Sequence, residues 1–217
     1  MKTIKSTVWY LEMRNPALKD RQPDESSELP EYRQEGMPKP EENSQEGRLK
    51  AEDNRQVERG REAGTADPVL PEGFSVQTLH KPGVADYLKL YKSVGSSYNW
   101  CDRLLMPKED LEKILHSGTT EVCLLKYNEE SAGFVEFDKS IPGETEIVYF
   151  GLIEKFTGKK AGFPFLKWAI NHALEQEIHR VWLHTCDLDH PAALPLYQKA
   201  GFVIYKTELV DQPVVER

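Results

Sequence analysis

Residues 148–162 read VYFGLIEKFTGKKAG, and residues 189–197 read DHPAALPLY. The first stretch is typical of a strand that runs through a glycine-bearing basic turn into a helix. The first turn of a helix leaves backbone N–H groups unpaired and carries a partial positive charge, so such an arrangement holds a pyrophosphate without any side chain. The stretch therefore predicts a phosphate-bearing ligand.

The composition indicates one ordinary folded domain and additional sequence that need not fold. The 217 residues are 39% hydrophobic and 10% aromatic, which suits one compact domain of about 150 residues. Three widely spaced cysteines without a C-x-x-C pair indicate neither a disulfide framework nor a thiolate zinc site. No segment approaches the roughly 18 apolar residues that span a bilayer. We therefore expect a soluble, cytoplasmic protein without membrane contact.

The charge is unevenly distributed along the chain. Residues 20–66 contain 13 acidic and 8 basic side chains, which is −5 of the total net charge of −8. Such a segment buries too little apolar surface to offset the cost of ordering the chain, roughly 1 to 2 kcal/mol per residue. We predict a disordered acidic insertion over 20–66, between an N-terminal strand segment (1–19) that packs on the domain and the domain itself (67–217). The net negative charge also argues against nucleic-acid binding.

Hydrophobic periodicity predicts an alternating order of elements after residue 66. Three successive strands are separated by turn-rich residues 128–131 and 141–143, which favours antiparallel hairpins. The strongest helix has apolar residues at i, +3, +4, +7 and +8 from Leu166, and Gly201 ends the last helix. The predicted elements are strands 74–80, 120–126, 132–137, 144–153, 180–185 and 202–209, and helices 84–94, 107–116, 165–175 and 190–199.

This order and two sequence blocks resemble the GNAT superfamily of N-acetyltransferases, in particular its bacterial members, over roughly residues 71–209. The first block has FGL at 150–152, then Phe156, Gly158 and Gly162. The second and more specific block has HTC at 184–186, LDHPAALP at 188–195, Tyr197 and GF at 201–202. The resemblance implies an α/β (α+β) GNAT fold, with a mixed central sheet of six to seven strands flanked by about four helices.

The resemblance also implies an acetyl-CoA site without a metal. The superfamily's Q/R-x-x-G-x-G/A turn falls on Thr157, Lys160 and Gly162, so lysine stands where glycine is usual. A lysine Cβ there could obstruct the phosphates, whereas the charges of Lys159 and Lys160 would attract them. The implied cofactor-binding residues are Gly151, Leu152, Ile153, Thr157, Gly158, Lys159, Lys160, Ala161, Gly162, His190 and Ala193.

The implied catalytic residues are Tyr197 and Glu146. Tyr197 matches the tyrosine from which many members protonate the departing CoA thiolate, a suitable task for a phenol. Glu146 matches the position where some members carry a base, acting directly or through water, and Glu136 is its competitor. Backbone amides near Phe150 and Gly151 would polarise the thioester, where the strands splay and a β-bulge is common.

The acceptor is the least defined part of the implied reaction. Tyr98 and Trp100, between the first two predicted helices, are either walls of the acceptor site or aromatic residues that close the core. We expect transfer to a primary amine of a small molecule or peptide, with a homodimer left open. The alternative is an acyl-CoA-binding module with little or no activity. His184, Cys186, Asp189 and His190 have spacing that permits a metal site, but the resemblance accounts for them without one.

Overall fold

The computed structural model describes residues 2–15, 18, 68–174 and 177–214. Within these ranges the chain forms seven strands, five α-helices and a 3₁₀ turn at Glu154–Phe156. The strands are β1 (Lys2–Arg14), β2 (Phe74–Leu79), β3 (Thr120–Tyr127), β4 (Glu130–Asp138), β5 (Glu144–Leu152), β6 (Arg180–Cys186) and β7 (Val203–Val214). The helices are α1 (Val84–Gly95), α2 (Asp102–Leu105), α3 (Lys108–Leu115), α4 (Gly162–Leu174) and α5 (Ala193–Ala200).

All seven strands belong to one sheet in the order β2-β3-β4-β5-β6-β1-β7. The predicted hairpins are confirmed, because β3 pairs antiparallel with β4 and β4 with β5. The pairing of β5 with β6 is parallel, with α4 as the crossover. A sheet with both kinds of pairing and helices on its faces confirms the predicted mixed α/β fold.

The N-terminal strand β1 lies inside the sheet, between β6 and β7. Its residues 8–14 pair with β6, and residues 2–12 pair with β7. Leu11 has no exposed surface, which explains why this segment carries large apolar residues. The predicted insertion at 20–66 lies outside the described residues, and the bounds of the three segments stay predictions.

The two faces of the sheet carry different helices. Alternate residues of a strand point to opposite faces, and in β4 Val135 packs with α4 and α5 whereas Phe134 packs with α1 and α3. The face under α4 and α5 holds the larger core cluster, which includes Phe165, Leu166 and Tyr197. We call these the α4–α5 face and the α1–α3 face. No helix in the described ranges is both long and apolar enough to cross a bilayer.

The sheet opens between β5 and β6. Their parallel pairing covers only Glu144–Ile147 and Arg180–Leu183, so the strands diverge after Ile147. At the same position along β5, its register with β4 shifts, because Glu136 pairs with Tyr149 whereas the next residue, Phe137, pairs with Ile147. The extra residue, Val148, forms a β-bulge two residues before Phe150, near which the sequence predicts one. We call the resulting gap the β5–β6 cleft.

Candidate active site

The β5–β6 cleft exposes backbone amides of β5. The amide of Ile153 donates to the carbonyl oxygen of Ala132 in the direction of β4, at 2.8 Å. Because successive amides of a strand point to opposite sides, those of Phe150 and Leu152 face the cleft, where β6 no longer pairs with β5. The cleft therefore offers fixed N–H donors to an extended, amide-bearing ligand or to a carbonyl oxygen. Of the two amides predicted to polarise a thioester, that of Phe150 faces the cleft and that of Gly151 faces β4.

The turn before α4 presents further unpaired amides. In the described part of the chain the N–H groups of Lys160, Ala161 and Gly162 donate to no other group. A Cβ atom built on Gly162 would meet only Leu152 Cδ1, at 3.7 Å, and one on Gly158 would meet nothing within 4 Å. The first turn of α4 contains no acidic residue. An open space lined by N–H groups at a helix N-terminus fits a pyrophosphate.

Three residues that were predicted to bind the cofactor, Ile153, Thr157 and Lys159, have other partners. Thr157 donates its hydroxyl to the carbonyl oxygen of Glu154, at 2.6 Å, and its amide to the same oxygen. The ammonium group of Lys159 lies over the ring of Tyr127, 5.0 Å from its centroid. Ile153 uses its amide for Ala132 and its carbonyl oxygen for the amide of Phe156. These residues shape the turn, and the amides that face the ligand space come from their neighbours.

Lys160 adopts the left-handed conformation that glycine tolerates best. Its φ is 61°, and Gly158 in the same turn has φ 76°. This conformation costs an L-residue roughly 1 to 2 kcal/mol, which explains why glycine is usual at this position. The side chain is exposed and forms no salt bridge among the described residues. The lysine therefore keeps the backbone geometry of a glycine turn and adds a free cation beside the unpaired amides.

We expect Lys160→Gly to weaken acetyl-CoA binding about 2- to 5-fold, the range of an exposed ion pair. The backbone geometry is already that of glycine, so the variant loses the charge without gaining access. Lys160→Met removes the charge but keeps a side chain at this position. It should therefore weaken acetyl-CoA binding by the same factor as Lys160→Gly. Calorimetric titrations at low and high salt measure both effects, and the differences should shrink in high salt. Tighter binding by the glycine variant would instead mean that the lysine obstructs the site.

Tyr197 lies on the α4–α5 face of the cleft. Its ring packs edge-on against Phe150 of β5, with 6.4 Å between the ring centroids, and against Phe202. The side chain is buried, yet its hydroxyl has no hydrogen-bond partner within the described ranges and is not sealed from solvent. Burial, aided by the charge of Asp189, raises the pKa of Tyr197 well above its usual value. The phenol is therefore protonated at neutral pH and can donate to a group in the cleft.

Glu146 and His184 form a pair on the opposite face of the cleft. The ring nitrogen Nδ1 of His184 donates to Oε1 of Glu146, at 3.2 Å. The two residues sit on neighbouring parallel strands, and His184 follows the last residue of β6 that pairs with β5. Burial opposes protonation of His184, but the hydrogen bond and charge of Glu146 raise the pKa of this imidazole above its ordinary value. The pair has the composition of a general base.

Glu136, the competing base, has a structural role. It is only 1% exposed and accepts hydrogen bonds from the hydroxyl of Tyr87 and from Nη2 of Arg103. Both oxygens of this buried carboxylate are thus already bonded, and a guanidinium group matches its charge. The geometry therefore favours Glu146 over Glu136.

Tyr98 and Trp100 lie between α1 and α2, on the α1–α3 face. Trp100 packs on Tyr91 and Tyr149 and donates its indole N–H to Asp189, at 3.0 Å. It thus closes the core and ties this segment to the loop after β6. Tyr98 is half-buried, and its ring packs edge-on against that of His190. Of the two, Tyr98 has the more open position for contact with a ligand.

His190 caps the turn that leads into α5. Its Nδ1 accepts a hydrogen bond from the amide of Ala192, at 3.0 Å, and its carbonyl oxygen accepts one from the amide of Ala193. An Nδ1 that accepts leaves the proton of a neutral imidazole on Nε2. The His190 side chain thus caps this turn, and its Nε2–H group remains as a donor.

Gly151 is explained by packing. A Cβ atom at this position would come within 2.5 Å of Val94 Cγ1, so any larger residue would push α1 off the sheet. Gly133 on β4 meets the same strand, since its Cβ would come within 2.3 Å of the Gly151 carbonyl oxygen. These glycines let α1 and β4 approach the part of β5 that lines the cleft.

A cavity of about 350 Å³ lies on the α1–α3 face. Asp138 in its wall is the register partner of Glu146, and residues opposite each other in an antiparallel pair share a face. The cavity therefore neighbours the Glu146–His184 pair, and its volume is that of a small-molecule site. Polar and charged residues predominate among those that line it, which are Arg103, Lys113, Ile114, Ser117, Thr119, Thr120, Glu136 and Asp138.

The metal-ligating residue types that converge in the described ranges lie elsewhere. Ligand atoms of Glu121, Cys123 and His172 are within 4.8 Å of one another. Glu121 already forms a salt bridge with Lys139 and a 3.0 Å contact with His172. The hydrogen bond of His172, opposed by burial and aided by Lys139, holds the pKa of Glu121 at about 2. This group ties β3 to α4.

Comparison with known proteins identifies a family. Residues 87–202 match the acetyltransferase (GNAT) family. The mycothiol acetyltransferase of Corynebacterium efficiens is 30% identical over 91 residues, which are 42% of this chain and 30% of that protein. The chain thus spans less than a third of the length of this curated relative.

Solved structures share the fold at low sequence identity. A conserved protein of unknown function from Staphylococcus epidermidis is 12% identical, with a TM-score of 0.55 over 95% of this chain and 60% of that one. A GCN5-related N-acetyltransferase from Sphaerobacter thermophilus is 13% identical, with a TM-score of 0.52 over 98% of this chain and 54% of that one. At these identities the likeness extends to the fold alone.

Proposed function

Because the chain belongs to the acetyltransferase (GNAT) family, we propose that it transfers the acetyl group of acetyl-CoA to a primary amine of a small molecule or peptide. The observation that carries this proposal is the β5–β6 cleft, which lies beside the unpaired amides before α4. The cleft has a phenol on one face and a carboxylate–imidazole pair on the other. The predicted cytoplasmic location remains part of the proposal.

Residues of this chain suit each part of an acyl-CoA molecule. The amides of Lys160, Ala161 and Gly162 would hold the pyrophosphate, with the positive end of the α4 dipole behind them. The strand edge at Leu152 would pair with the amides of the pantetheine arm, and the Nε2–H group of His190 is a further donor nearby in the fold. The Phe150 amide would donate to the thioester carbonyl oxygen.

When bound, acetyl-CoA supplies an activated acyl carbon and a thiolate leaving group. Glu146 and His184 would share the proton released by the amine as its nitrogen bonds to the acyl carbon. Tyr197 would give its phenolic proton to the sulfur as the carbon–sulfur bond breaks. Because proton acceptor and proton donor lie on opposite faces of the cleft, the amine and the thiolate need not compete for one group.

The cavity on the α1–α3 face supports a small-molecule acceptor. Asp138 in its wall pairs with Glu146 on the neighbouring strand, so the cavity lies close to the proposed base. Its volume of about 350 Å³ suits a compact polar molecule. Its lining residues include hydroxyl groups and charged groups of both signs, which can form hydrogen bonds with a polar acceptor.

We expect the full-length chain to bind acetyl-CoA in calorimetry and to release free thiol when a panel of small primary amines is added. The same panel with a tertiary amine in place of each primary amine is the control, since it should give no release above background hydrolysis. Absence of acetyl-CoA binding would contradict the proposal. Binding without thiol release across the panel would support the second candidate, an inactive acyl-CoA-binding module, which is the alternative that the lysine at position 160 raises in the sequence.

A further inference from the structure

Lys199 and Phe163 form a contact at the first turn of α4, which follows the unpaired amides of the proposed pyrophosphate site. Phe163 is the second residue of α4, directly after the unpaired amide of Gly162, and its ring is half-buried. Lys199 lies in the last turn of α5. Its ammonium group lies over the Phe163 ring, 4.8 Å from the centroid, which is cation–π distance. The contact holds an exposed cation at the N-terminus of α4, although these residues are far apart in sequence.

The charge of Lys199 has no carboxylate partner among the described residues, unlike the charges of Lys155, Lys126 and Lys206, which pair with glutamates. Among the described residues, Lys160 in the turn before α4 also has no carboxylate partner. Although the chain has a net charge of −8, its described part thus has unpaired cations around one helix N-terminus. Two of these features, the helix dipole and Lys160, already suit a pyrophosphate. The ammonium group of Lys199, over the Phe163 ring, is a third positive feature and suits an additional phosphate.

We propose that Lys199, held in place by Phe163, binds the ribose 3′-phosphate of acetyl-CoA and makes the site prefer CoA over 3′-dephospho-CoA. This inference rests on the proposed function, because it assumes that CoA occupies the cleft. The 3′-phosphate is a dianion near the end of the molecule opposite the thiol, so a cation beyond the pyrophosphate cradle is in a suitable place. Lys199 is a binding residue here and takes no part in acyl transfer.

The test compares CoA and 3′-dephospho-CoA by calorimetry on the full-length chain and its variants. Wild type should bind CoA about 5- to 10-fold more tightly than 3′-dephospho-CoA, and Lys199→Met should remove this preference by weakening CoA binding alone. Lys199→Arg should retain the preference. Lys92→Met is the matched control, because Lys92 is also an exposed lysine in the last turn of a helix, and the preference should be unchanged.

Equal affinity of the wild type for the two ligands would overturn this inference and leave the proposed function standing. A preference that survives in Lys199→Met would also overturn it, since another residue would then bind the phosphate. If neither ligand binds to the wild type, the proposed function and this inference both fail. If Lys92→Met lost the preference for CoA as strongly as Lys199→Met, the preference would depend only on the net charge of the protein. That result would also contradict a specific role for Lys199.

Discussion

Tyr197→Phe is expected to lower kcat about 100-fold with little change in CoA affinity. The variant loses only the hydroxyl, so the ring keeps its edge-on contacts with Phe150 and Phe202. Proton transfer by a positioned side chain contributes about 10²- to 10⁴-fold to a rate. We expect the lower end of that range, because burial raises the pKa of Tyr197 and so reduces the driving force for donating its proton.

Two measurements separate this role from a structural one. Single-turnover kinetics should show the loss in the chemical step, while calorimetry with CoA should show a dissociation constant within about threefold of the wild type. Phe202→Leu is the matched control, since it removes a ring that contacts Tyr197 but leaves the hydroxyl. Equal turnover in wild type and Tyr197→Phe would remove the phenol from the mechanism.

Local sequence patterns predicted most of the fold. The hairpins of β3, β4 and β5, the helix around Leu166 and the glycine that ends α5 all follow from nearby residues, and Gly201 has the expected positive φ of 108°. The boundaries were less accurate. α4 begins at Gly162 rather than Phe165, and β7 extends to Val214 rather than Leu209. In both cases the regular backbone conformation continues past the residues that show the apolar pattern, so the pattern alone predicts too short an element.

Elements without a local pattern were missed. The four-residue helix α2 (Asp102–Leu105) is too short to show periodicity, and the sequence predicts no element between the first two helices. Helix α2 has a structural role, because it positions Arg103 to form a salt bridge with the buried Glu136. The location of β1 between β6 and β7 depends on contacts across most of the chain. A sequence can show that such a strand needs a partner, but the choice of partner is made by the whole sheet.

The candidate site was predicted in part. The positions of Glu146 and Tyr197 came from resemblance, and both border the β5–β6 cleft. The partnership of Glu146 with His184 was missed, since His184 was considered only as part of the second sequence block and as a member of an alternative metal site. The register of two parallel strands joined by α4 sets that contact. The left-handed φ of Lys160 was also not visible in the sequence, although the usual glycine at this position is the signal that could have predicted it.

Glu146→Gln is expected to lower kcat/KM about 100-fold near neutral pH, because the amide cannot take up the proton of the amine. Gln keeps the size of the side chain and can still contact His184, so the fold should be retained. His184→Asn should cause a loss of similar order, and the double variant should lose little more than either single variant. Residues that act as one unit show such non-additive effects. Fully additive losses would contradict the pairing.

The pH dependence of kcat/KM distinguishes a catalytic pair from a structural contact. The pair must be unprotonated to accept a proton, so activity should fall on the acid side, with its midpoint above the ordinary histidine pKa of about 6.5. Burial favours the neutral imidazole, and the hydrogen bond and charge of Glu146 outweigh it to raise the pKa of His184. In Glu146→Gln the carboxylate is gone and burial remains, so the residual activity should have its acid-side midpoint at lower pH. A profile whose midpoint is the same in wild type and variant would show that His184 and Glu146 do not titrate together in the reaction.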